Sequence, residues 1–273
     1  MSHRPSYLRK QSLNIFLLFA CLAFNTNANE FDCLIEPNVV TEVSSPANGV
    51  ASWVAVESND IVKKGQVLLT LDSNVEKASV NLARARSKME SDIEAKKSSL
   101  AFAKRRLERI DDLYKKKAVS FDQRDEVETE VNTAKAELKL AEENKRIAEL
   151  ELKRAIAQLN KRTIRSPING VVVKRQVSAG ESVEEKSLFK LAQINPLNVE
   201  VIASINHFGK VKKGMNAIVE PESPVGGEYK ATVTIVDKVL DAATGTFGFR
   251  LEMPNPDHKL PAGLKCKVHF VQN

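Results

Sequence analysis

Side chains able to do covalent or metal chemistry are few in these 273 residues, and they are scattered. No two of His207, His258 and His269 stand at the spacing by which a helix offers paired imidazoles to a metal. Met253 near His258 adds a soft donor, but two donors on a loop are too small a constellation to assign a site. There is no Gly-rich phosphate loop, nucleophile elbow or CxxC pair. The sequence therefore reads as a protein that is not an enzyme and has no cofactor, with its histidines in ordinary polar roles.

Sulfur is the remaining chemistry, and its compartment matters. His3, Arg4, Arg9 and Lys10 precede an apolar run from Leu13 to Phe24 that ends near Thr26-Asn27-Ala28. That pattern reads as a secretory signal over residues 1–28. The run is about a dozen residues, whereas a membrane-spanning helix needs roughly 20, so cleavage is favoured over a retained anchor. A lipoprotein reading at Cys21 is weaker, because Phe19 stands where a small residue is expected. Export would leave Cys33 and Cys266 in a compartment that permits disulfides; a bridge and two buried free thiols both remain open.

Charge narrows the partners. With Arg4, Arg9 and Lys10 removed, 41 − 3 = 38 basic residues face 35 acidic ones, too mild an excess for nucleic acid. Eleven Phe, three Tyr and one Trp supply little for one large core, which suggests several small modules or an elongated shape.

The positioning elements emerge from glycine and proline. All eleven Gly and all ten Pro lie outside Asn74 to Arg162, a stretch with 22 basic and 17 acidic residues interleaved, and it is expected to be helical. Val75, Leu82, Met89, Ala103 and Ile110 form one heptad series, and Ile93, Leu100, Leu107 and Tyr114 the second. Val127, Ala134, Ala141, Ala148 and Ala155, with Val131, Leu138, Leu152 and Leu159, repeat the pattern, while Lys96 and Lys145 interrupt the seams. An antiparallel hairpin projecting roughly 60 Å follows, with capping boxes expected at Ser73 to Glu76 and Ser120 to Gln123. Lys115, Lys116 and Lys117 stand where the first helix should end.

The flanks of this arm repeat each other. Val43 to Val50, reading VSSPANGV, matches Ile164 to Val171, reading IRSPINGV, at an offset of 121 residues. The match continues through Val56 and Val177, Asp60 and Glu181, and Val62 and Val183; after a one-residue deletion, Leu68 to Leu71 matches Leu188 to Leu191. Each copy is a set of short strands with turn signals, too small to bury a core alone. Paired across a pseudo-twofold, the two copies would close the base of the arm.

Split halves like these around a helical hairpin resemble the membrane fusion proteins, the HlyD-like, RND-type periplasmic adaptors of efflux pumps. Pro46 to Val50 with Asn59 to Leu68 is similar to that family's first biotinyl/lipoyl half-motif, and Gly180 to Val183 to its second. Gly209 to Gly214, Val239 to Thr244, Pro254 to Asp257 and Pro261 to Leu264 are similar to the adaptor barrel, although Gly245 stands where such adaptors often have Arg. Alternating β-rich runs and turns in the same region suit a small barrel.

The resemblance implies a mainly β fold with a long α-helical coiled-coil hairpin: an elongated, modular β-barrel, lipoyl-like β-sandwich and antiparallel helical hairpin. The expected domains are residues 29–43 plus 192–273 for the barrel, 44–73 plus 163–191 for the lipoyl-like module, and 74–162 for the hairpin. Because the strand ahead of the first half-motif joins the barrel in such proteins, the resemblance also brings Cys33 and Cys266 near each other. It further implies docking on an outer-membrane channel through the hairpin tip. There Arg109, Leu113 and Ser120, followed by Asp125, match the family's spacing, with Val127 in place of its usual Ala. A guanidinium, an apolar side chain and a hydroxyl at an exposed tip suit a groove between partner helices. Each has a plainer role as well: solvated Arg109, tip-packing Leu113 and helix-capping Ser120.

The implied protein is periplasmic and is held at the inner membrane by a transporter, RND-type in preference to ABC-type. It self-associates into a ring or tube and binds no nucleic acid. The sequence stops at Asn273, so the membrane-proximal domain of many relatives is expected to be missing, leaving the transporter contact unassigned. A lipoyl or biotinyl carrier is the first rival, but no Met-Lys-Met or Asp-Lys-Ala tip is present and Lys77 falls in a predicted helix. A coiled-coil spacer without a pump is the second, and a closed β base is more than a spacer needs.

Overall fold

The computed structural model describes residues 30–184 and 186–271; the signal segment expected over residues 1–28, with Cys21, lies outside the described residues. In chain order, strands β1 (Glu30–Ser44), β2 (Gly49–Val54), β3 (Ile61–Val62) and β4 (Val67–Leu71) lead into helices α1 (Asn74–Ser87), α2 (Ser91–Lys115) and α3 (Phe121–Asn160). Strands β5 (Thr163–Arg165), β6 (Gly170–Arg175), β7 (Ser182–Val183) and β8 (Ser187–Ser204) follow. The chain then completes β9 (Asn216–Pro221), β10 (Tyr229–Val236), β11 (Thr246–Met253) and β12 (Leu264–Phe270).

The sequence repeat folds as a repeat. One layer runs β5-β4-β2-β7 and the other β1-β8-β6-β3, so each strand has its counterpart 120 or 121 residues away in the opposite layer. The hydrogen bonds obey the same exchange. Asn59 N–H donates to the Val172 carbonyl at 2.7 Å and Val172 N–H to that of Asp60 at 2.9 Å. In the other half, Gly180 N–H donates to Ala51 at 2.7 Å and Ala51 N–H to Glu181 at 2.9 Å. The two turns share a left-handed position, Asn59 at φ 74° and Gly180 at φ 85°, which only Gly and, less readily, Asn adopt at low cost. Matched residues fill one core: Ala51 with Val172, Val62 with Val183, and Leu68 and Leu69 with Leu188 and Phe189. Neither half holds enough apolar surface by itself; together they exclude water from both layers.

Strands β1 and β8 extend past this module into the barrel. Val39 to Ser44 pairs with Ser187 to Gln193 in the module, the register shifts between Pro37 and Val39, and Cys33 to Pro37 pairs with Leu197 to Val201 above it. The order β1-β12-β9-β10-β11-β8 closes through the β1–β8 pairing, leaving the six strands without a free edge. Alternate residues point inward along β11, burying Phe247, Phe249, Leu251 and Met253. Phe31, Phe249 and Phe270 pack ring to ring within 6 Å in this core. Cys33 and Cys266 are directly opposed on the first and last strands, with their sulfurs bonded at 2.07 Å. Buried Asn255 donates to the carbonyls of Ile194 and Leu260 at 3.0 and 2.9 Å, fixing the β11 to β12 connection against β8.

The helical arm differs from expectation in its first limb, which is broken at Lys88, Met89 and Glu90. α1 buries Val80, Ala83 and Ser87, and α2 buries Leu100 and Ala103. Ala83 and Ala103 are 20 residues apart, one short of three heptads. In an unbroken helix, that missing residue would turn the second seam about 100° away from the partner. The break absorbs the rotation, with Lys88 and Met89 N–H groups donating three residues back to Ala85 and Arg86. Val75, Leu82 and Met89, expected in the seam, consequently face solvent. The cap at Ser73 also differs: its side chain makes no cap bond, and the Asp72 carboxylate takes the Asn74 N–H at 3.1 Å instead.

Candidate functional site

The far end of the arm is built by two helix ends and the five residues between them, Lys116 to Ser120. α2 closes with Lys117 in the left-handed region at φ 59°, and the Lys117 and Ala118 N–H groups return to the Tyr114 and Leu113 carbonyls at 2.8 and 2.9 Å. Ser120 then caps α3 with a complete capping box. Its hydroxyl accepts from Gln123 N–H at 3.2 Å, and the Gln123 carbonyl oxygen accepts from Ser120 N–H at 3.2 Å.

Just behind this turn, the Arg124 guanidinium donates to Asp111 and to Glu128, both at 2.7 Å. These two carboxylates raise the Arg124 pKa further. It is the outermost rung of a ladder of cross-hairpin ion pairs. Arg106 Nη1 donates to both carboxylate oxygens of Glu130 at 2.7 and 2.6 Å, Lys96 meets Glu137 at 3.0 Å, Lys145 meets Glu90, and Arg162 meets Glu76 at 2.5 Å. The two residue numbers of every rung sum to between 233 and 238, the signature of one antiparallel register. Lys96 and Lys145, which break the heptad pattern, are thus cross-links. Each raises its own pKa through its carboxylate, and Glu90 and Glu76 are pushed below the usual carboxylate value by Lys145 and Arg162.

This ladder leaves the tip residues outside it. Arg109 and Asp125 lie between two rungs in register, both exposed, and among the described residues neither forms an ion pair. Leu113, one turn beyond Arg109, is 41% exposed. Ser120 is exposed too, with its hydroxyl engaged as a cap. The sequence reading missed Phe121, 59% exposed at the first position of α3, and half-exposed Tyr114. An aromatic directly after a capping serine was the available signal, since that position has no seam to fill. The surface combines a guanidinium, a carboxylate and apolar side chains on a framework fixed by ion pairs. It is suited to recognition and has no arrangement for bond making.

The β modules carry the comparison with known proteins. Residues 39–193 match the family model for the CzcB-like barrel-sandwich hybrid domain, more than half of the chain, and residues 197–273 match that for the CusB-like beta-barrel domain. The chain belongs to the membrane fusion proteins, the periplasmic adaptor family. Its members with similar sequences include the multidrug resistance protein MdtE of Escherichia coli, 29% identical over 49% of this chain and 38% of MdtE. The cobalt-zinc-cadmium resistance protein CzcB of Cupriavidus metallidurans is 26% identical over 81% of this chain and 40% of CzcB. The chain thus spans less than half the length of either relative. The crystal structure of MacA from Actinobacillus actinomycetemcomitans superposes at a TM-score of 0.74 with 26% identity, covering 89% of this chain and 78% of MacA. Among the described residues, no helix is long and apolar enough to cross a membrane.

Proposed function

We propose that this protein is the periplasmic adaptor of a tripartite efflux or secretion system. Its hairpin tip docks on an outer-membrane channel while its barrel end stays with an inner-membrane transporter of the RND type. Membership of the adaptor family and the likeness to resistance proteins support the reading. The observation that carries it is the tip, where Arg109, Leu113 and Phe121 stand open to solvent on a helix pair already locked by its own ion pairs. A spacer has no use for an arginine withheld from such a ladder; a docking surface does.

Self-association into a ring or tube has support along the arm. Val75, Leu82 and Met89 on the first limb and Leu140 and Ile147 on α3 are exposed apolar residues at heptad spacing, with Leu82 and Leu140 each one position before a buried seam alanine, Ala83 and Ala141. In an antiparallel pair, that position lies on the same flank of both helices, which gives one side of the arm an apolar face for a second copy.

Affinity capture from cross-linked, intact envelopes tests the reading. The native protein is expected to bring down a transporter and a channel. Arg109→Asp should reduce channel recovery at least tenfold with the transporter and the helical circular dichroism unchanged. Undiminished channel recovery would remove the tip from the docking surface, and recovery of neither partner would leave a spacer.

A further inference from the structure

The end of the barrel opposite the arm has a chemistry of its own. Strand pairing places there the start of β1, the end of β8, the start of β9, the end of β10, the start of β11 and the end of β12: Glu30 faces His269, Thr246 faces Ser204 and Phe270 faces Ala217. Two loops, 205–215 and 237–245, close this end. From the first project Ile205 and Phe208, each 46% exposed, and from the second Val239, at 86% the most exposed large apolar residue among those described. Lys210, Lys212 and Lys213 lie on the first loop and Lys238 on the second, all exposed.

Three acidic residues of this end are engaged locally, while Asp32 is exposed and among the described residues forms no ion pair. The Asp241 carboxylate accepts from the Ala243 and Thr244 N–H groups at 2.9 and 3.4 Å, Asp237 lies over Gly248, and Glu30 pairs with Lys267 at 3.0 Å. Four exposed lysines thus share the two loops with three exposed apolar side chains.

We propose that this barrel end seats directly on an anionic lipid surface, with Phe208, Ile205 and Val239 entering the headgroup boundary and the four lysines meeting lipid phosphates. Single apolar side chains on two loops that also carry exposed, flexible cations suit a fluid interface, which needs no matching shape. A protein partner would call for a continuous packed patch. The inference goes beyond the adaptor reading, since lipid binding at this end requires neither transporter nor channel.

The test uses the chain processed by a Gram-negative host, carrying Phe208→Trp in a Trp53→Phe background so that the only indole reports from this end. Vesicles of phosphatidylglycerol and phosphatidylethanolamine with brominated acyl chains are the probe. Expected are a blue shift and strong quenching. Phosphatidylcholine vesicles should give neither, and Lys210→Glu/Lys212→Glu/Lys213→Glu should weaken binding by about a hundredfold, roughly fivefold per lysine. Phe208 also touches the Phe247 ring at 5.3 Å, so Val239→Trp, which sits free of the core, repeats the measurement should the first variant disturb the barrel. An indole left unquenched on anionic vesicles overturns the proposal. So does equal quenching on phosphatidylcholine. Burial of the indole only when inner-membrane proteins are present would assign this face to a protein and overturn it as well.

Discussion

Replacing Cys33 and Cys266 by Ala opens the one covalent tie between the first and last strands of the barrel, and the loss can be bounded from topology. If the whole chain unfolds together, the bridge closes a loop of 233 residues, for which chain entropy gives about 5.5 kcal/mol. If the barrel unfolds alone, β1 and β8 remain paired at Val39 and Gln193 in the lower module, and the open path shortens to about 80 residues. The same relation then gives about 4.5 kcal/mol. Closure entropy grows only logarithmically, so the two routes differ by about 1 kcal/mol, and both are ceilings because bridges usually deliver about 2–4 kcal/mol. Differential scanning calorimetry of the oxidised, reduced and double-Ala proteins measures it. The barrel transition is expected to fall by the same amount in the last two, while the helical ellipticity of the arm keeps its own midpoint. Two reactive thiols in the oxidised, denatured protein would refute the bridge, and an unchanged barrel transition would refute the entropic account.

The arm offers two further tests. Glu76 and Glu90 are held below the ordinary carboxylate value of 4.5, so their contribution is complete above that pH and is lost as pH falls through the lowered values. The midpoint of helix melting, followed at 222 nm, should therefore be flat down to about pH 5 and drop below it; no drop by pH 3 would take the ladder out of the stability account. Leu100→Ala removes a seam residue that is 9% exposed and should cost about 2 kcal/mol, the low end for a buried leucine, because a two-helix seam can partly collapse. Leu82→Ala, at 56% exposure, should change stability by no more than about 0.5 kcal/mol in monomer. Equal costs would mean that the seam runs unshifted through the break.

What could be read from the sequence depended on how local its physical cause was. The β halves were legible because each buried position constrains its counterpart identically: Asn59 and Gly180 need the same backbone, and Val62 and Val183 fill the same layer. The arm was legible as helix from the absence of Gly and Pro. Its break was not, since Lys88, Met89 and Glu90 are ordinary helix formers. Only the one-residue slip between two seams demands the interruption, and a single heptad register laid from Val75 to Ile110 conceals it. Barrel closure was beyond local pattern, because β1 meets β12 across most of the chain. At the tip, Arg109, Leu113 and Asp125 came from family spacing, whereas Phe121 and the ion-pair ladder required the two limbs to be set side by side.

Because β1 and β8 run unbroken in sequence through barrel and sandwich alike, the two modules share a pair of girders. Twisting one end must wring the other, with relief concentrated at Asn38, where the ladder skips between Pro37 and Val39. Cutting the chain at a loop would not yield two free-standing parts, since each girder would stay whole and carry strand that belongs to both modules.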